Sequence, residues 1–389
     1  MHPRRTVIIR GLGTAGLSRA QPLDANELAI GAIDDALRDS GLAASDVDGL
    51  LISRSPVASD PAPGLGLHRA AALPALRLLQ VLDGEGTSAL QMIQAATQAI
   101  AHGAATNVIC VFADAPLRGG KRGSQAFGTT RVTRGIGGLR YSSGAFGAAS
   151  IYAMAAQRHM DRFGTTRAHL GAVAISTRQW ACMNPSALFR EPLTMEAYLS
   201  ARKVAEPFGL FDCAVPVDGA VAVLLGPGTG SYRKPPVQVM GCAQAHEPAA
   251  WPHDSGDGPD SAATRAFRAA LESARVAKSD VDMLQCYDAF TFMTLQALED
   301  FGFCAAGESG GFVADGQTSP GGPLPVNTGG GHLSGFYLQG MTPIVEAVLQ
   351  LRGEAGARQC PRSDVAAVTN TGGYFDHHAC LVLGSAATL

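Results

Sequence analysis

The 389-residue sequence predicts an α/β protein made of two similar halves. Three observations carry this. Residues 29–50, AIGAIDDALRDSGLAASDVDGL, and residues 263–284, ATRAFRAALESARVAKSDVDML, are identical at ten of 22 positions at a constant offset of 234, including the whole run Ser-Asp-Val-Asp. In both copies the apolar positions keep helical spacing, Ala29, Ala32, Ala36 and Leu37 in the first and Ala263, Ala266, Ala270 and Leu271 in the second. Downstream of each copy, a second helix pattern ends on a glycine and is followed by a β-branched run. A unit shared down to its turn reads as a duplication.

Each copy opens on a strand pattern, residues 6–11 and 237–242. The repeated helix and its Ser-Asp-Val-Asp turn follow, leading into strands at 49–53 and 283–287. A helix at 87–102 closes on Gly103 and precedes a strand at 107–112; its counterpart at 341–352 closes on Gly353 and precedes a strand at 365–369. Asp218-Gly219 falls in an apolar strand and reads as structural. The halves are expected to span residues 1–230 and 235–389. The first carries an insertion, about 116–207, rich in Gly, Arg and Ala, with a helix pattern at 150–163 and an irregular loop at 183–192. Loops this long inside a compact protein are usually functional.

Composition narrows the function. Hydrophobic residues make up 46% and charged residues 16%, which suits a large buried core or extensive oligomer contacts. A net charge of −3 gives no footprint for nucleic acid. No stretch approaches a membrane span or a signal peptide. The eight cysteines form no CxxC pair, so neither a disulfide framework nor a metal site is indicated. The expectation is a cytoplasmic protein.

The most informative stretch is 327–340, NTGGGHLSGFYLQG, just before the helix pattern at 341. Three consecutive glycines permit positive φ, and a helix N-terminus offers unsatisfied N–H groups to an anion or developing oxyanion. His332, Ser334 and Tyr337 follow within the same loop. A purely structural glycine turn is the alternative reading.

Four runs, MNPSALFREPLT (183–194), PFGLFDCAVPVDGAVAVLL (207–225), LPVNTGGGHLSG (324–335) and LRGEAGARQ (351–359), resemble the sterol-carrier, lipid-transfer branch of the thiolase superfamily. The likeness covers nearly the whole chain. It implies the thiolase fold, a duplicated five-layer αβαβα arrangement with a long inserted loop region, and four catalytic loops. The first loop would carry the acylated cysteine; here it reads Asp83-Gly-Glu-Gly-Thr-Ser88, without cysteine. The second reads Tyr287-Asp-Ala-Phe290, with Tyr287 in the position of a His. In the third, Tyr337 replaces the histidine of Gly-His-Pro, and the fourth reads Asn370-Thr-Gly-Gly-Tyr-Phe-Asp-His-His378.

Without a thiolate at position 83 the acyl-transfer route through a thioester has no obvious nucleophile. The pattern, with two tyrosines in catalytic loops, resembles the thiolase-like aldolases of steroid side-chain degradation. That resemblance implies retro-aldol cleavage of a β-hydroxyacyl-CoA, a 17-hydroxy steroid C22-CoA ester giving a 17-ketosteroid and propionyl-CoA. No cofactor would be tightly bound, coenzyme A entering as part of the substrate. The chain would form a homodimer, and a small OB-fold partner, often with a zinc ribbon, would complete a heterotetramer.

By the same resemblance Tyr287 or Tyr337 would move the proton of the alcohol. A free phenol is a poor base near neutrality, so its pKa must fall or a neighbour must accept the proton. His332 would hold the thioester oxygen or relay a proton, or else brace the loop, with His377 and His378 as further candidates. Gly330, Gly331, Gly372 and Gly373 would bring backbone N–H groups to the developing charge. Ser334 and Asp83 complete the expected substrate contacts; with Glu85, Asp83 also reads as a solvated loop carboxylate. Asp288, on a strand, is expected to point away from Tyr287. Two rivals remain, a Claisen-type acyltransferase using Cys286 or Cys380, and a non-catalytic lipid-binding subunit.

Overall fold

The structure, a computed structural model, describes residues 6–19, 21–55, 63–121, 123, 138, 142–145, 147–247 and 260–389. Residues 122, 124–137, 139–141 and 146 of the expected insertion lie outside the described residues. In chain order the first half runs β1 (Val7–Ser18), α1 (Ala25–Ser40), β2 (Gly49–Ser53), α2 (Pro63–Ala70), β3 (Leu78–Leu82), α3 (Ser88–Ala101) and β4 (Val108–Asp114). The insertion contributes α4 (Gly147–Phe163), α5 (Arg167–Cys182), α6 (Met195–Ser200) and a two-stranded ribbon, β5 (Lys203–Ala205) and β6 (Phe208–Gly209), before β7 (Asp218–Pro227). The second half runs β8 (Val237–His246), α7 (Ala262–Ala274), β9 (Met283–Cys286), α8 (Thr291–Asp300), α9 (Ser309–Ala314), α10 (Met341–Leu351), β10 (Val365–Gly372) and β11 (His377–Gly384).

The sheet order is β3-β2-β4-β7-β1-β8-β11-β10-β9. It divides at β1–β8, whose ladder is the short pairing Ile8–Gln238 and Ile9–Val237. On either side of that seam the pattern is the same. β2 and β4 are parallel while β4–β7 and β7–β1 are antiparallel. Likewise β9 and β10 are parallel while β10–β11 and β11–β8 are antiparallel.

Strand alternation builds the layers. Val108, Cys110 and Phe112 of β4 face one apolar cluster together with Val221, Val223 and Leu225. Ile109 and Val111 face another, with Ala220, Ala222, Leu224 and the Leu28–Leu37 face of α1. In the second half Ala366 and Val368 join the first cluster, whereas Ala367, Cys380 and Val382 face α7 and α8. The shared cluster contains Leu90, Met92, Ile93 and Ala96 of α3 and Ile344, Ala347, Val348 and Leu351 of α10. Helix, sheet, paired inner helices, sheet, helix is the five-layer arrangement.

The repeated sequence has a structural job. The second Asp of the motif, Asp48, accepts the amides of Thr106 (2.8 Å) and Asn107 (2.9 Å) and so pins the entry to β4. Its counterpart Asp282 accepts those of Asp364 (2.8 Å) and Val365 (3.0 Å) at the entry to β10. The first Asp, Asp46 or Asp280, closes its own short turn on Ala43 or Ala277. A Cβ on Gly11 would stand 2.3 Å from the Ala36 carbonyl, and one on Gly241 2.4 Å from that of Ala270. Ala36 and Ala270 are matched positions of the repeat, so both outer helices sit tight on a glycine of the sheet.

α3 and α10 begin side by side. The Gly340 position, just before α10, lies so close to the Gly86 carbonyl, just before α3, that a Cβ would meet it at 2.5 Å. Two helix N-termini, the ends of β9 and β10, and the 327–340 loop therefore converge on one point. No helix among the described residues is long and apolar enough to cross a membrane. Nor, among them, could any group of three or more His, Cys, Asp or Glu hold a metal ion.

Candidate active site

The convergence point holds two phenols. Tyr287 follows the end of β9, where its amide bonds the Thr369 carbonyl at 2.9 Å. Tyr337 enters from the glycine loop, its amide held by the Val215 carbonyl at 3.0 Å. Their hydroxyls are 2.9 Å apart, with rings edge to face at 6.2 Å between centroids. Both pKa values rise. Burial pushes Tyr337 up to about 12, although its bond to Tyr287 works the other way. Burial, then the Tyr337 hydroxyl, pushes Tyr287 well above the ordinary phenol value. Neither phenol is a lowered-pKa base, which removes the first of the two options left by the sequence.

His332 lies beneath the pair, with ring centroids 4.7 Å from Tyr287 and 5.2 Å from Tyr337, and is 0% exposed. Both ring nitrogens are engaged by the protein. Nε2 donates to the Gln339 carbonyl at 2.6 Å, and Nδ1 is 2.9 Å from Asp288 Oδ1 and 3.2 Å from the Asp288 amide. The same carboxylate accepts the His332 amide at 2.7 Å. Asp288 therefore points toward the site's supporting layer, and His332 braces the loop from below.

The other expected residues divide. Gly330 and Gly331 take φ of 94° and 52°, and a Cβ on Gly331 would stand 2.1 Å from Asp288 Oδ2, so glycine is required there by close approach. The Gly330 amide is spent on the Asn327 carbonyl (2.9 Å), which corrects its expected role as a donor to substrate. Ser334 is likewise withdrawn: it is buried and accepts from Arg178 Nε at 2.9 Å. Asp83 is exposed, 4.0 Å from Arg54. Gly372 ends β10 opposite His377, while Gly373, with φ of 62°, presents its amide to Glu85 Oε2 at 2.8 Å.

His377 and His378 are corrected as loop residues, because they open strand β11 and alternate across it. His377 turns outward against His246, with Nδ1 atoms 3.2 Å apart. His378 is buried, donates Nε2–H to the Phe375 carbonyl at 3.0 Å, and has its pKa pushed down to about 4 by burial. Cys286 and Cys380 are both buried, and burial raises both thiols. Cys110, in β4, is buried as well. None of the three offers a thiolate near neutral pH.

Sequence reasoning passed over Tyr152. On α4 of the insertion, it donates to the Gly373 carbonyl at 3.0 Å and packs on Phe290, Tyr374 and Phe375 at 5.1, 5.9 and 4.9 Å. The contact joins residues 221 apart in sequence, and nothing in the helix pattern at 150–163 marks it. Asn370 is likewise unmarked by the sequence pattern. Its Nδ2 donates to the Gly340 carbonyl at 2.9 Å, and its buried Oδ1 has no partner among the described residues.

Fold and site together define a thiolase-fold protein whose loop before α3 lacks a cysteine and whose loops after β9 and before α10 meet through a phenol pair. Residues 250–385 match the family described as thiolase C-terminal domain-like. The chain is 33% identical over 358 residues to the 17-hydroxy-3-oxo-4-pregnene-20-carboxyl-CoA lyase of Mycobacterium tuberculosis, covering 89% of this chain and 91% of that one. It is 31% identical over 386 residues to the steroid side-chain-cleaving aldolase of Thermomonospora curvata, covering 94% and 95%. The solved Ltp2-ChsH2(DUF35) aldolase superposes with a TM-score of 0.86 at 28% identity, over 100% of this chain and 99% of that one. The chain belongs to the thiolase superfamily, in its branch of lyases and aldolases.

Proposed function

We propose that the protein is a retro-aldolase acting on a β-hydroxyacyl-CoA, a 17-hydroxy steroid C22-CoA ester, with a 17-ketosteroid and propionyl-CoA as products. The observation that carries this reading is the 2.9 Å contact between Tyr287 and Tyr337 hydroxyls in a site without a cysteine in the first loop. The names of the two relatives and the solved aldolase complex support it.

The chemistry asks only for proton movement and enolate stabilisation. The substrate O–H bond breaks, the carbonyl forms, and the electrons of the broken carbon–carbon bond pass to the thioester enolate. The enolate carbon then takes up a proton, so no net proton is released. Two phenols in hydrogen-bond contact suit this. One receives the alcohol proton as it passes its own to the other, the second delivers its own to the enolate carbon, and neither need persist as a phenolate, which their raised pKa values disfavour. His332, held on both nitrogens, keeps the rings in place, and the glycine-lined N-termini of α3 and α10 supply positive potential for the enolate. The working assembly is proposed to be a homodimer flanked by an OB-fold partner of the DUF35 kind, covering a steroid too large for the inserted segment alone.

Incubating the purified chain, with and without such a partner, with the 17-hydroxy steroid CoA ester tests this. A 17-ketosteroid and propionyl-CoA in equal amounts are expected by mass spectrometry; an intact ester under both conditions would sink the reading. Thiol alkylation separates it from the acyltransferase rival. Iodoacetamide is expected to leave cleavage unchanged and no acyl-enzyme to accumulate, since Cys286 and Cys380 are buried and protonated.

A further inference from the structure

The Gly373 amide is the one expected glycine donor whose hydrogen bond goes to a side chain from another loop, Glu85 Oε2 at 2.8 Å across 288 residues of sequence. A carboxylate oxygen on that amide stands in chemically for the oxygen of a thioester as it acquires enolate charge. The contact is built into the backbone. Glu85 is a non-glycine residue at φ of 51°, a conformation side-chained residues rarely hold without surrounding constraint. Its neighbours leave no room: a Cβ on Gly86 would meet the Thr371 carbonyl at 2.0 Å and the Tyr287 ring at 3.0 Å, and one on Gly372 would meet the Gly84 carbonyl at 2.4 Å. From the other side Tyr152 holds the Gly373 carbonyl at 3.0 Å. The Glu85 charge also contributes to raising the pKa values of the Tyr152, Tyr287 and Tyr337 hydroxyls.

A carboxylate and an enolate oxygen cannot share one N–H, because like charges a few ångströms apart repel. Glu85 is exposed, so water compensates its carboxylate once it leaves. We infer that Glu85 is a displaceable internal ligand of the Gly373 amide, which the thioester oxygen of an acyl-CoA replaces on binding. This rests on the acyl-CoA reading above.

The test is calorimetric titration of propionyl-CoA into the full chain at neutral pH, for wild type, Glu85→Gln, Glu85→Ala and Glu85→Gly. Removing the competitor is expected to tighten binding by about threefold to tenfold, the net worth of one hydrogen bond. Glu85→Gln should fall between wild type and Glu85→Ala, because its amide oxygen still accepts the N–H but carries no charge. The glycine variant occupies positive φ without strain, so agreement between it and Glu85→Ala isolates the carboxylate from any backbone effect. A carboxylate that only braced the loop would give the opposite sign, and unchanged or weaker binding in both truncated variants overturns the inference. Absence of binding by the wild type would instead overturn the acyl-CoA reading, and the internal ligand with it.

Discussion

Tyr337→Phe is expected to lower kcat for carbon–carbon cleavage by a factor on the order of 10²–10⁴, the usual scale for a general acid–base group. The change removes one hydroxyl whose 2.9 Å contact is with Tyr287, and the ring keeps its place near His332. Folding should therefore be little affected, and an unchanged unfolding midpoint beside the lost turnover would locate the defect in the chemistry. Tyr287→Phe should behave alike. If the phenols pass one proton between them, either deletion stops the transfer, and the double variant should be no slower than the worse single one. Defects that multiply would assign the hydroxyls separate tasks. Wild-type turnover in Tyr337→Phe would take that residue out of the reaction.

The largest expected effect on stability lies below the glycine loop. Arg358 Nε and Nη2 reach both oxygens of Glu346 at 3.0–3.1 Å, and Thr328 and Gln350 complete the carboxylate's bonds at 2.8 and 3.0 Å. Both charged side chains are buried. A Cβ on Gly329 would stand 2.6 Å from Glu346 Oε2, so this ion pair is the floor on which the loop rests. Arg358→Met leaves the carboxylate buried without its partner and is expected to cost about 3–5 kcal/mol, read as a lower urea midpoint at unchanged slope. Replacing Glu346 by Met as well should recover much of that loss, since an apolar pair of similar volume carries no desolvation penalty. A single variant as stable as the wild type would show that the pair contributes nothing net.

How much of this was legible depends on the range of the interaction. The repeat announced itself because its signals are local. Helical spacing places Ala32 and Ala266 on a buried face, and Ser-Asp-Val-Asp closes a turn whose last Asp reaches the neighbouring strand. The duplicated topology followed from reading both copies together, and strand ends missed by the pattern, such as β1 running to Ser18, extend those elements without rearranging them. Strand β11 was not legible, because His377-His378 reads as a polar loop end. Only its pairing with β8 and β10 makes it a strand and sends the two imidazoles to opposite faces.

The sequence by itself determined the class of fold, the absence of a cysteine from the loop at residues 83–88, and which loops carry the tyrosines. Each of these is a matter of residue identity and spacing along the chain. The tertiary structure alone decided that the two hydroxyls meet, that burial raises both pKa values, that Asp288 turns toward His332, and that Glu85 rests on the Gly373 amide. Those depend on distances between groups 50, 44 and 288 residues apart, and on how much water the packed halves exclude. No spacing in the chain encodes either quantity; both arise only when the N-termini of α3 and α10 are brought together.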